Sequence, residues 1–416
     1  MKFLCGSFFL SSLLWFNPSL FRPEYAIVML GILAGLFQGR SSSICKFKRE
    51  LWLLAALVAA AVVTVGGQIL AGANFIWRDS MVTLMFAYYA GVIIFVGMVS
   101  NSNISDRGGW KFGLAVSFLI ATISIFQYFN ILKVNSVLLP SSGVAEWLRD
   151  EVSWKRTVGT IGNPNYWGFV ISVCLAMLTH LVFWRGRILL LPLFLGLLVS
   201  LILTGSRSAL ICWVSGTIIG GILVASFARE LPRTGMSLTA ALLLTIGASG
   251  LGISDYYENK GRFSVSNVDT LMGRVAVWQM SLQESSEDLR TLLIGQGPRK
   301  GVDTLHWGDN SYVKIFRDYG LVSLGLYLTL LAVMFKRILK KLRVQDEEGR
   351  AWSIVSLFVL LQWCVFELSA DTWFFVRVSA PVIALYTFVI ARPEICHSLP
   401  RRQEGTSAND RPSAVS

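Results

Sequence analysis

Charge is scarce in this chain, and so is histidine. Asp, Glu, Lys and Arg make up only 15% of 416 residues while 54% are hydrophobic, which excludes a soluble two-domain protein. The three histidines, His180, His306 and His397, are too few to build a metal-ligand cluster with the cysteines placed as described below. No internal repeat with a period of about 20–50 residues is visible, which excludes a repeat array. No A-x-A-like cleavage site closes the short apolar stretch behind Lys2, which argues against a signal peptide.

What is abundant is apolar sequence. A helix crossing the hydrocarbon core needs about 20 mostly apolar residues. Twelve stretches approach or meet that, at residues 3–16, 24–37, 51–70, 81–98, 112–132, 166–183, 188–203, 209–227, 238–253, 321–335, 351–368 and 373–390, the first two being short. The expected fold is all-α, a polytopic integral membrane protein with these twelve transmembrane helices. Residues 1–397 form the membrane domain, and residues 398–416, rich in Arg, Ser, Asp and Pro, form a disordered tail.

Lysine and arginine set the orientation, because loops that stay in the cytoplasm carry the excess. They cluster at Arg40, Lys46, Lys48 and Arg49, at Arg185 and Arg187, at Arg229 and Arg233, over residues 336–343, and at Arg401 and Arg402. Counting spans puts every cluster on one face, so both termini are cytoplasmic and the net charge of +12 requires no nucleic acid. Of six cysteines, Cys5, Cys174, Cys212 and Cys364 fall in spans and Cys45 and Cys396 in cytoplasmic segments. No disulfide framework is expected.

Two external segments exceed simple turns, residues 133–165 and the larger 254–320 between the ninth and tenth spans. Loops of this length usually bind or cover something. The larger one has a helical pattern of its own, with Leu271, Val275, Trp278 and Leu282 on one apolar face suited to the membrane or the span tops.

Arg207 is the one charge in the apolar run 188–228, and an arginine at bilayer depth costs at least about 2.5 kcal/mol. Placing "LTGSRSALIC" at a hairpin corner on the external face removes most of that cost. Alone, Arg207 fits a snorkelling side chain. It has company on that face: Lys155 and Arg156 before "TVGTIGNPNYWG", Arg274 in the larger loop and Arg377 just inside the last span. Each alone reads as a solvated charge. Together they suit a pyrophosphate, whose oxygens the guanidinium fork grips bidentately.

"IGNPNYWG" reads structurally as a turn at Gly162 and Asn163–Pro164, with Asn165 capping the next helix. The stretch 292–328, "LLIGQGPRKGVDTLHWGDNSYVKIFRDYGLVSLGLYL", sets Gly295 and Gly297 before His306, Asp309, Asn310 and Tyr312. His306 fits an exposed loop histidine and Asp309 a helix cap; both also fit an acid or base. Its Gly-x-Gly is a weak nucleotide signal, and an external loop meets no ATP.

In order, "RTVGTIGNPN", "LTGSRSAL", "GRVAVW", and "GQG" followed by "DNSYVKIFRDYGLVSLGLYL" resemble the O-antigen ligase and O-antigen polymerase superfamily of membrane glycosyltransferases, over residues 156–328. The resemblance implies an enzyme of the bacterial inner membrane that needs no metal or other cofactor. It would transfer a saccharide from a polyprenyl-pyrophosphate carrier to a sugar hydroxyl at a periplasmic site. Donor and acceptor are then lipid-linked saccharides, and a chain-length regulator is a further expected partner.

By the same resemblance Arg207, Arg156 and Arg274 hold the pyrophosphate, with Arg377 added by its position. Asn310, Tyr312, Asn163, Asn165 and Trp278 support them. The ligase motif has a histidine directly before the asparagine; here that position is Asp309, with His306 three residues earlier. Asp309 is therefore the first choice of general base and His306 the second, and the Asp–Asn pair looks more like the polymerase branch, which joins repeat units. The alternatives are a ligase delivering polymer to lipid A core and, from another class, a twelve-helix transporter or flippase. A transporter built from two similar halves would place its long loop centrally and inside.

Overall fold

The computed structural model of the chain describes Val28 and residues 40–70, 77–100, 106–135, 156–228, 268–286, 288–297, 310–344, 346–370 and 376–392. Among these residues there is helix and turn but no strand. Within a bilayer the helix is favoured because it satisfies every backbone N–H and C=O internally.

Eleven α-helices carry the described chain. They are α1 (Lys48–Leu70), α2 (Trp77–Ser100), α3 (Asp106–Tyr128), α4 (Pro164–Thr179), α5 (Leu191–Leu203), α6 (Arg207–Ala228), α7 (Val268–Ser286), α8 (Leu289–Ile294), α9 (Ser311–Val344), α10 (Glu347–Phe366) and α11 (Val376–Ala391). Six segments are long and apolar enough to cross a membrane: Ile44–Leu70, Gly108–Tyr128, Pro164–Trp184, Arg207–Phe227, Ser311–Arg343 and Glu347–Phe366. Shorter apolar helices run over Leu84–Ser100, Ile188–Leu203 and Val378–Ala391. These nine fall on nine of the twelve expected spans; the stretches 3–16 and 238–253, all of 24–37 but Val28, and the tail 398–416 lie outside the described residues.

Burial separates centre from periphery. The apolar windows of Pro164–Trp184 and Glu347–Phe366 are 89% and 78% buried, against 22% for Ile44–Leu70 and 33% for Gly108–Tyr128. So α4 and α10 form the middle of the bundle, and the outer faces of α1 and α3 are left for lipid. Small residues let α6 close on α10: a Cβ at Gly216 would stand 2.4 Å from Gln362 Cγ, and one at Gly220 2.1 Å from Phe358 Cδ1. Such small-residue contacts are how membrane helices approach closely without a hydrophobic drive.

The described basic clusters gather at one end of the bundle. Lys46 Nζ donates to the Ala391 carbonyl and Lys341 Nζ to that of Arg392, each at 2.9 Å. Arg337 pairs with Glu50, whose carboxylate is fully buried and also accepts from the Tyr386 hydroxyl. Arg185 pairs with Glu347 at 3.1 Å, and the Arg343 guanidinium lies 4.7 Å from the Phe227 ring. The corner at Arg207 and the start of α9 are at the opposite end.

One helix is far longer than its apolar stretch. The expected span 321–335 is the middle of α9, 34 residues long, which bends at Gly320 (φ 77°, ψ −178°). Hydropathy sees only the central part. The N-terminal extension is polar yet packed, with Ser311, Lys314 and Asp318 buried. The other end continues through Lys340, Lys341 and Arg343, which favour a helix C-terminus and keep their charges at the interface.

Candidate functional site

Arg207 sits at a built corner. Helix α5 ends at Leu203, Gly205 takes a left-handed φ of 61° that a side chain would resist, and α6 begins at Arg207. Ser206 starts α6: its hydroxyl accepts from Ala209 N–H at 3.3 Å, and its own N–H donates to Thr204 Oγ1 at 3.1 Å. Arg207 is therefore the first helical residue rather than part of the turn, and it is exposed. Among the described residues nothing hydrogen-bonds or ion-pairs with its guanidinium.

Arg156 is brought to the same corner. Its Nε donates to the Thr204 carbonyl at 2.8 Å, and Thr157 N–H donates to that of Leu203 at 3.1 Å. The segment from Arg156 to Asn163 is inside the protein, with Thr157 and Val158 fully buried. Its backbone groups therefore need partners there. Gln127 of α3 supplies one, its Oε1 accepting from Val158 N–H at 2.9 Å and Gly159 N–H at 2.7 Å. Gly159 is left-handed (φ 56°), and a Cβ there would lie 2.0 Å from Trp167. The Trp167 indole is itself fixed by donating to Ser124 Oγ at 2.9 Å.

The helix cap differs from expectation. Asn163, not Asn165, caps α4: its side chain accepts from the N–H groups of Asn165 and Tyr166, with Pro164 at the first helical position. A proline at that position needs its cap one residue earlier, which leaves the Asn165 side chain to accept from Arg156 Nη2 at 3.5 Å.

The second half of the site is the turn after α10. Four carbonyls, one in the last turn of α10 and three in the turn after it, are taken by neighbours. Ser311 N–H donates to Glu367 O at 2.9 Å, Ser311 Oγ to Ala370 O at 3.1 Å, Tyr312 Oη to Cys364 O at 3.0 Å, and Arg274 Nη1 to Ser369 O at 3.4 Å. Asn310 is 4% exposed and caps α9, accepting from Tyr312 and Val313 N–H. The Glu367 carboxylate is fully buried and accepts from the Tyr327 hydroxyl. Phe366 joins the two halves, stacking on Phe169 with ring centres 4.8 Å apart and meeting Tyr166 edge-on at 6.3 Å. Arg156, Arg207, Asn163 and Asn165 thus share one corner, and Arg274, Asn310 and Tyr312 share the adjoining turn.

The helix expected in the larger loop is α7, and of the four residues expected on its apolar face Val275 and Trp278 are half-buried. Ser281 and Ser285 are buried, with Arg274 and Trp278 half-buried, while Leu282 is 43% exposed. The most buried positions on the described helix are Ser281 and Ser285, beside the half-buried Arg274, Val275 and Trp278. The exposed Leu282 and Met280 are left for lipid.

"GQG" has a structural use. Gln296 N–H and Gly297 N–H donate to Arg317 O and Asp318 O, each at 2.8 Å, where α9 bends and leaves those carbonyls free. Asp309 and His306 lie outside the described residues, as does Lys155. Arg377 is the second residue of α11. Gln127 and Glu367 were not singled out from the sequence, although a lone polar residue at the end of an apolar span is a signal that could have found them.

Chemically, the arrangement offers an exposed guanidinium at a helix N-terminus, a second held beside it, and capped polar helix starts opposite. That suits an anion with a hydroxylated neighbour better than a cation. Among the described residues no three His, Cys, Asp or Glu side chains group as metal ligands. A search against protein-family models and curated protein sequences finds no match to this chain.

Proposed function

We propose that this chain is a membrane glycosyltransferase that joins polyprenyl-pyrophosphate-linked repeat units into a bacterial surface polysaccharide. The observation that carries the reading is the pairing at one corner of Arg156, held by backbone, with Arg207, exposed and open to a ligand. The order of motifs that resembles the ligase and polymerase superfamily supports it.

The topology proposed with it is twelve spans, both termini cytoplasmic, in a bacterial inner membrane. The described ends on either side of residues 229–267 support an odd number of crossings between them. Phe227 lies at the basic end beside Arg343, and Arg274 lies at the opposite end on Ser369. The site faces the periplasm because the basic end is cytoplasmic.

The acceptor hydroxyl oxygen attacks the anomeric carbon of the donor in line with the carbon–oxygen bond to pyrophosphate. That bond breaks, configuration inverts, and polyprenyl pyrophosphate leaves. Asp309 takes the hydroxyl proton, with His306 the second choice; one base suffices because no covalent intermediate forms. Arg207 and Arg156 stabilise charge developing on the leaving pyrophosphate, with Arg274 and Arg377 as further candidates. Asn310, Tyr312 and Asn163 fix the helix ends, Asn165 accepts from Arg156, and Trp278 seats α7.

Purified protein incubated with a lipid-linked repeat unit should yield a ladder of extended carrier-linked products. Absence of any extension, with net translocation of the substrate across liposomes instead, would favour a transporter. Deletion separates polymerase from ligase: loss of a polymerase leaves single repeats on the final acceptor, and loss of a ligase leaves polymer on the carrier.

A further inference from the structure

Two buried polar atoms beside Arg156 have no hydrogen-bond partner among the described residues. Gln127 is 2% exposed, and its two backbone donors fix which end of the amide is oxygen, so Nε2 is the end left over; that nitrogen makes no hydrogen bond. Thr157, adjacent to Arg156, is fully buried, and its Oγ1 also makes none. Both atoms flank a single peptide unit, because the Val158 N–H that Gln127 accepts belongs to the Thr157–Val158 bond. A nearby third, Asn135 Oδ1, is unpartnered while Asn135 Nδ2 donates to the Gln127 carbonyl at 3.2 Å.

Orphaned buried polar groups are uncommon and weaken a fold unless something satisfies them. Rotation does not readily relieve these. Turning the Gln127 amide would strip two N–H groups of their acceptor, and Thr157 is held by its own N–H on Leu203 O at 3.1 Å. The cluster also abuts the side chain that the proposed function assigns to pyrophosphate.

We propose that Gln127 Nε2 and Thr157 Oγ1 form a polar subsite for the sugar directly attached to the pyrophosphate, recognising its hydroxyl or other oxygen groups. This rests on the glycosyltransferase reading and adds to it the residues that tell a loaded carrier from a spent one. Gln127 then has two ends with two tasks: oxygen holds the Arg156 segment, and nitrogen meets the sugar. The atoms are closed to solvent in this structure, so occupancy requires neighbouring chain to move.

The test uses the full-length protein in detergent and two probes, undecaprenyl pyrophosphate alone and the same carrier bearing one saccharide. The reading is the ratio of their affinities, taken by native mass spectrometry. Thr157→Val removes the hydroxyl while keeping shape, and Gln127→Glu keeps both acceptor contacts while removing the donor. Each should lower the preference for the saccharide-bearing carrier about tenfold, the scale of one lost hydrogen bond in a buried site. Thr157→Ser should restore it. Using the ratio cancels any general effect of the added charge or of weakened folding on carrier binding. An unchanged ratio in both variants means that the orphaned atoms hold buried water only, and overturns the subsite. Wild-type protein that binds neither probe overturns the glycosyltransferase reading itself.

Discussion

Arg156 reaches across the hairpin corner to the Thr204 carbonyl, 2.8 Å from its Nε, against the turn that sets Arg207 at the head of α6. Residues 48 apart in sequence are thereby locked side by side. One guanidinium is tied to the fold; the other is exposed and, among the described residues, bonded to nothing. The two arginines therefore differ in what their loss should do.

Arg207→Ala should leave thermal stability in detergent unchanged while lowering chain extension about a hundredfold or more, as removal of one charge-stabilising donor does. Arg207→Lys should recover only part of this, since the charge returns without the fork. A normal product ladder from either variant would count against the assignment.

Arg156→Ala should lower both. It leaves the Thr204 carbonyl, on a fully buried residue, without its donor, a loss of about 1–3 kcal/mol. Thermal unfolding compared with Arg207→Ala checks the difference.

Gly159→Ala should be among the most damaging single changes in the described chain. A left-handed alanine costs about 1–2 kcal/mol, and the new Cβ at 2.0 Å from Trp167 Cδ2 adds overpacking of about 1–3 kcal/mol. Gly186, also left-handed but facing open space, is the control: its alanine variant should show only the backbone cost. Unfolding midpoints of the pair settle the matter.

Breaking the buried pair at the basic end should be worse than removing it. Arg337→Leu strands the fully buried Glu50 carboxylate, at about 3–5 kcal/mol. Adding Glu50→Leu should recover most of that loss. A double-mutant cycle of thermal stabilities measures the recovery, and additive losses would refute the pairing.

Asp288 gives a pH signature. It caps α8 with its carboxylate accepting from Thr291 N–H, and that bond, helped by the Arg290 N–H, holds its pKa below the usual carboxylate value. A folded pKa lowered in this way contributes stability above the unfolded carboxylate value and loses it as pH falls through the folded one. Amide exchange across α8 should therefore quicken in acid, and Asp288→Asn, which keeps a capping oxygen, should flatten the response.

Much of this protein is dictated locally. Lipid rewards any apolar stretch of about 20 residues with helix, so nine apolar helices, six of them long enough to cross a membrane, and the corner at Arg207 follow from composition and punctuation alone. Asn163, Pro164 and Asn310 carry capping chemistry in their own side chains. Tertiary packing decided the rest. The burial of Ser281 and Ser285 on α7 is one such outcome. The length of α9 depended on neighbours that bury its polar N-terminal extension. No local pattern shows that Gln127 would hold the Arg156 segment, or that Glu367 and Ala370 would receive Ser311. Those contacts join residues 31 to 59 apart, and hydrogen bonds between distant elements exist only once the bundle has closed.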